Sequence, residues 1–287
     1  MSTFKYFRVA FGLLVITYVL YVIKHISTLT ITWSTRGVDK PYNKSHLIVF
    51  TTFPLMTDPK YDKTHFRDPT PERVESRMAD YVESLIHTLR HPCVFEVHIF
   101  YDQDGMPEYI QSRLGTQPKL KFDRIPNAKV YVGIFEFVHQ HFKDKLVMIT
   151  NGDIYPAEGF EKLDYDVMRD KRLFYSPSRH GRKEKRCVMR KESCDNGRYR
   201  GTHDSYIFIP DRELPAETKR ALKYKWDDFG MENIILHLYM HKLNYRVSNP
   251  CYVLILYHNH CSVLRHMNRI RVRGLPYAIA APTNTLS

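Results

Sequence analysis

Apolar residues along the chain gather in short runs, separated by stretches with helical spacing. HLIVFTTF (46–53) is an apolar run of strand length. From Pro71 to Leu89, Val74, Met78, Val82, Leu85 and Ile86 share one helical face. FEVHIFYD predicts a second strand, followed by a short helical stretch ending near Gly115. LKFDRI predicts a third strand, Val130 to Phe142 a helix, and KLVMITNGDIYP a fourth strand. Strands alternating with helices imply βαβ units. The expected fold is therefore α/β, with a mostly parallel central sheet and helices on both faces. The second half is less regular. LFYSPSR, SYIFIP and YRVSNP read as strands, Met231 to Leu243 as a helix, and CYVLILYHNHCS as a closing extended segment. A polar loop runs from Gly181 to Arg200.

The N-terminus follows another pattern. VAFGLLVITYVLYVI, between Arg8 and Lys24, has fifteen residues without a charge. Phe7 and Ile26 extend it, and the flanking Arg8 and Lys24 can reach toward headgroups. Lys24-His25 follows the run where a cleaved signal peptide would carry small residues. The pattern predicts a single transmembrane helix over 9–26, with 1–8 as a cytosolic tail and 27–44 as a Ser/Thr/Gly/Pro-containing stem. The folded domain is expected over 45–270, with 271–287 as a C-terminal tail. Asn43-Lys44-Ser45 is an N-glycosylation sequon just past the anchor, which favours a lumenal domain. The expectation is a single-pass type II protein of the Golgi or endoplasmic reticulum membrane, whose bilayers suit a short span.

Charge sharpens the picture. The net charge is +12, and it is unevenly placed. Residues 179–200 hold nine Lys/Arg against three acids, and residues 233–287 hold six Lys/Arg and no acid. Two basic segments on an otherwise balanced chain suggest an anionic partner. A nucleic-acid-binding protein is disfavoured, because the anchor and sequon would keep the domain away from chromosomal DNA. Of the five cysteines, Cys187 and Cys194 are close enough for a small disulfide, Cys251 and Cys261 can pair, and Cys93 is left over.

Candidate chemistry sits where strands end. Asp153 closes an apolar strand, beside Asn151 and Gly152. In open parallel sheets, ligands bind at the carboxyl ends of strands. A carboxylate there can hold Mg²⁺ or Mn²⁺ against a diphosphate, or it can simply make an Asx turn before Pro156. Asp102-Gln103-Asp104-Gly105 is a rival acidic pair with a strong turn signal. If LILYHNH is extended, His258 and His260 share a face and could supply a metal ligand.

The ordered segments TNGDIYP, YSPSRHG, GTHDSYIFIP, FGMENIILHLYMHKLNYRVSNP and YHNHCSVLRHM resemble a loosely characterised family of glycosyltransferase-like proteins. That family has the A-type, Rossmann-like nucleotide-diphospho-sugar transferase fold. The resemblance spans roughly residues 46–267. It implies a metal-dependent transfer of sugar from a nucleotide-sugar donor to a glycan or glycoconjugate acceptor, with Mn²⁺ or Mg²⁺ as cofactor. It implies Asp153, His258 and His260 as metal ligands, with Asn151 standing where the family has its first acid. Glu232 and Asp204 are implied as catalytic residues, and Asn151, Arg179, His203, Asn233 and Arg265 as donor-binding ones. The substitution of Asn151 for an acid leaves a second reading: a catalytically silent protein that binds nucleotide or glycan in the same groove.

Overall fold

The computed structural model describes residues 46–286, except 65, 127, 183, 185–186, 188–192, 195–201, 227 and 266–270. Strand β1 (Leu47–Thr52) leads to helix α1 (Pro71–Arg90), β2 (Val94–Tyr101), α2 (Met106–Leu114) and β3 (Leu120–Arg124). Helix α3 (Tyr131–His141), β4 (Val147–Thr150) and β5 (Ile154–Pro156) follow. The second half contains α4 (Tyr165–Asp170), β6 (Leu173–Tyr175), β7 (His180–Gly181), β8 (Ser205–Phe208), α5 (Ala216–Ala221), α6 (Met231–His241), β9 (Arg246–Ser248) and β10 (Leu256–His258).

Seven strands form the main sheet in the order β3-β2-β1-β4-β8-β6-β9. All neighbours are parallel except β8, which runs antiparallel to both β4 and β6. Strand side chains alternate in direction, so each strand feeds two cores. Val49, Met148 and Ile207 pack with Met78 and Leu85 of α1 on one face. Phe50, Ile149 and Phe208 pack with Phe135 of α3 and Ile235 and Tyr239 of α6 on the other. The expected mostly parallel sheet between two helical layers is thus present.

Helix α1 starts where the sequence allows it to. Thr70 caps it by accepting the Arg73 N–H at 3.4 Å, and Pro71 at the first turn forfeits no hydrogen bond. Its 20 residues include seven charged side chains, so it is amphipathic and covers the sheet. No helix among the described residues is long and apolar enough to cross a membrane. This corrects the expected single-pass placement in the Golgi or endoplasmic reticulum membrane. The segment 9–26 on which that placement rested, the stem 27–44 and the sequon at Asn43 lie outside the described residues.

The cysteine pairing also differs from expectation. Cys187 bonds Cys261 and Cys194 bonds Cys251, while Cys93 is free. The basic loop is therefore stitched to the C-terminal segment and not to itself. Residues proximity in sequence had suggested as partners are instead brought to β10 and its flanks, because β7 lies alongside β10. Residues of the expected C-terminal tail, 271–287, touch the domain: the Ala278 N–H donates to the Asn233 carbonyl, the Asn233 amide donates to the Ala278 carbonyl, and Tyr175 donates to the Leu286 carbonyl at 2.6 Å.

Candidate metal and catalytic centre

After β1 the chain moves outward to β2 and β3, then returns across β1 to β4. The carboxyl ends of β1 and β4 therefore flank a topological switch point, where ligands of open sheets bind. KLVMITNGDIYP is not one strand but two, β4 and β5, broken at Asn151-Gly152-Asp153. Gly152 passes so close to β1 that a Cβ there would lie 2.3 Å from the Thr52 carbonyl oxygen and 3.0 Å from the Tyr81 ring. Only glycine permits this approach.

A small sheet, β5-β10-β7, then brings distant residues to Asp153. β10 runs antiparallel to β5 with His258 opposite Ile154, and the Asn259 N–H donates to the Asp153 carbonyl at 2.7 Å. His258 Nε2 donates to Asp153 Oδ2 at 2.9 Å. His260, its ring 5.5 Å from that of His258, donates from Nε2 to the Leu264 carbonyl at 2.9 Å. Because a carbonyl only accepts, this bond leaves the other ring nitrogen of His260 with its lone pair. Candidate ligand atoms of Asp153, His258 and His260 lie within 4.8 Å of one another, and all three residues are buried.

The electrostatics suit ligation. Burial opposes ionisation of Asp153, but the His258 ring and the Arg77 guanidinium outweigh it and hold the carboxyl well below its ordinary range. Burial lowers His258, with the Asp153 charge opposing, and lowers His260 to about 2, so the His260 ring is a neutral lone-pair donor at neutral pH. Among the described residues His258 Nδ1 is a buried nitrogen without a hydrogen-bond partner, so it can face a ligand. Two imidazoles and a carboxylate suit a first-row transition ion such as Mn²⁺ with positions left for phosphate oxygens, and suit Mg²⁺, which favours oxygen ligands, poorly.

Arg77 and Asp80, on the buried face of α1, complete this cluster. Arg77 pairs with Asp153 and, at 3.2 Å, with Asp80. Asp80 Oδ2 also accepts the N–H groups of Cys261 (3.1 Å) and Ser262 (3.0 Å), holding the segment after β10. Sequence reading missed both residues. Arg77 stands three positions after Val74 and Asp80 three after Arg77, but five other charged residues of the same helix hide that spacing.

A second group adjoins the first at the start of β8. Asn151 donates from Nδ2 to Asp204 Oδ1 at 3.3 Å, and Arg179 forms an ion pair with Asp204. Glu232 occupies the first turn of α6 and its carboxyl is pushed up to about 7, by burial and then by the Asp204 charge, with Arg179 opposing. His258 feels the charges of both Arg179 and Asp204, so the two groups form one continuous electrostatic unit. The structure thus brings Asp153, Asn151, Arg179, Asp204, Glu232, His258 and His260 into one neighbourhood.

Three candidates sit differently. His203 is fully buried, bonds the Ser176 carbonyl through Nδ1 at 2.9 Å, and is lowered to about 4 by burial. Asn233 donates to the Ala278 carbonyl at 3.1 Å and so holds the tail. His203 Nδ1 and the Asn233 amide are thus engaged with backbone carbonyls. Arg265 is partly exposed, with its carbonyl accepting the Arg67 N–H at 2.9 Å and its charge felt at His260. The rival acids Asp102 and Asp104 are engaged in surface ion pairs with Lys129 (3.8 Å) and Arg124 (2.9 Å). A cavity of about 10 Å³ beneath Gly152, lined by Val49, Leu85, Ile99 and Ile154 among others, holds no more than a water.

No protein-family model and no curated protein matches the chain. Among solved structures it is similar to the 4-diphosphocytidyl-2C-methyl-D-erythritol synthase of Anaerococcus prevotii, at 11% identity and a TM-score of 0.35, covering 82% of this chain and 95% of that one. It is also similar to GalNAc-T7 with UDP, GalNAc and Mn²⁺, at 11% identity and a TM-score of 0.32, covering 78% of this chain and 43% of that one. HddC from Yersinia pseudotuberculosis gives 11% identity and a TM-score of 0.29, over 77% and 93% of the two chains. Likeness at this level does not establish common descent or common chemistry.

Proposed function

We propose that the chain is a divalent-metal-dependent transferase that moves a sugar from a nucleotide-diphosphate donor to a hydroxyl of a glycan or glycoconjugate. The observation that carries this reading is the convergence of Asp153, His258 and His260 at the switch point of the sheet, with the raised carboxyl of Glu232 tied in through Asp204 and Arg179. Asp153, His258 and His260 would hold a divalent transition ion such as Mn²⁺, which when bound would neutralise charge on the departing diphosphate. Arg179, oriented by Asp204, offers N–H donors to phosphate oxygens, and Asn151 fixes Asp204 through its amide. Arg265 adds positive charge on the same side. Glu232 accepts the proton of the acceptor hydroxyl; a carboxyl near 7 is matched to that work at neutral pH.

The test combines binding and turnover. Nucleotide diphosphates and a panel of nucleotide sugars are titrated with Mn²⁺ into wild type and Asp153→Asn, then scored for binding heat and for release of the sugar. Wild type is expected to bind only with metal, and Asp153→Asn to lose that binding. Equal metal-independent binding by both proteins would refute the metal role. One observation favours the second reading, a non-catalytic nucleotide or glycan binder: Arg77 already neutralises Asp153. Metal-independent nucleotide binding without sugar release by any donor would favour that reading.

A further inference from the structure

Arg77 lies between the proposed cation site and the helix that covers it. Its side chain is 6% exposed. One terminal nitrogen donates to Asp80 Oδ2 at 3.2 Å and to the Asn259 carbonyl at 3.3 Å. The other donates to the Tyr81 hydroxyl at 3.3 Å and to Asp153 Oδ2. That same Asp153 oxygen faces His258 Nε2. A cation drawn between Asp153 and His258 therefore meets a guanidinium already seated on the shared oxygen. Like charges this close repel strongly in a buried site, where little water screens them.

We infer that Arg77 is the resident counter-ion of Asp153, and that a divalent cation enters the Asp153–His258–His260 cluster only in exchange for this ion pair. The inference rests on the metal site proposed above and adds what sets its affinity. Asp80 makes the exchange feasible. Its carboxylate is fixed by the N–H groups of Cys261 and Ser262 and already shares the guanidinium, so Arg77 keeps a buried partner when Asp153 turns to metal. The arginine thus stabilises the metal-free chain and weakens metal binding by the same contact.

The test reads metal alone, without activity. Arg77→Met together with Asp80→Asn removes one charge of each sign, so the net charge of the cluster is unchanged and only the occupancy of Asp153 differs. Mn²⁺ is titrated into wild type, the double variant, and the double variant carrying Asp153→Asn, and free Mn²⁺ is counted by its electron paramagnetic resonance signal. The double variant is expected to bind about tenfold tighter or more, as release of a buried ion pair implies, and Asp153→Asn to abolish the gain. Equal affinity in wild type and double variant overturns the exchange while leaving the metal site standing. Absence of Asp153-dependent Mn²⁺ binding in both overturns the exchange and the site together. If circular dichroism shows the double variant unfolded, Arg77→Lys replaces it, since one ammonium cannot fork across both acids. Tighter binding by Arg77→Lys supports the exchange, and unchanged or weaker binding overturns it.

Discussion

Replacing Glu232 with Gln tests the electrostatic unit without reference to any ligand. The Glu232 carboxyl ordinarily titrates near 4.5 and is pushed up to about 7 in the fold, by burial and by Asp204. Between those two pH values the folded chain keeps a proton that the unfolded chain releases. Stability therefore falls as pH rises through this window, and the whole loss is present above about 7. At ~1.4 kcal/mol per tenfold change in proton affinity, the loss is at most about 3 kcal/mol. The side chain is partly exposed, so screening brings the value below that limit. Gln has no proton to lose and escapes the effect. Urea denaturation of wild type and Glu232→Gln at several pH values from 4.5 to 8 measures the difference directly. The variant should gain on wild type as pH rises, by up to about 3 kcal/mol, with most of the change complete by about pH 7. A difference that stays constant across the range would refute the raised carboxyl, and with it the argument for Glu232 as a proton acceptor.

Four further outcomes follow from the packing. Gly152→Ala places a Cβ 2.3 Å from the Thr52 carbonyl oxygen, and backbone cannot yield as a side chain would, so a loss of about 2–3 kcal/mol is expected in urea denaturation; wild-type stability would show that β1 and Asn151–Asp153 are not in contact. Replacing both Cys194 and Cys251 with Ser opens a loop with a sequence separation of 57, which should lower stability by about 4 kcal/mol on the loop-entropy relation. Peptide mapping without reduction should recover Cys187 with Cys261 and Cys194 with Cys251; a Cys187–Cys194 peptide would overturn the pairing. His203, ordinarily titrating near 6.5, is lowered to about 4, so the unfolded chain binds a proton first and stability falls as pH drops through that window. His203→Asn, which keeps a donor toward the Ser176 carbonyl, should flatten this acid limb of the stability curve.

The candidate centre was legible where chemistry lies near an element boundary. Asp153 showed itself as an acid closing an apolar strand, and His258 and His260 as alternate residues of an extended segment. Arg77 and Asp80 were not read, because a helix with seven charged residues gives no sign of which ones point inward. The disulfides were misread for a related reason. Sequence proximity favours Cys187 with Cys194, but β7 beside β10 places each next to a residue more than fifty positions away. His203 and Asn233 matched a motif yet face backbone partners, since a motif specifies residue order and not side-chain direction.

Local pattern by itself determined the alternation of strand and helix, the helical face of α1, and the parallel sheet that these imply. Such features depend on contacts within a few residues and on which side of an element is apolar. The tertiary structure alone decided that β4 ends at a switch point, that β10 pairs with β5 to bring His258 beside Asp153, and that Arg77 occupies that acid. Those contacts join residues 76 to 105 positions apart. No local propensity encodes them, because they arise from strand order and register, which are set by burial of the whole sheet between its two helical layers.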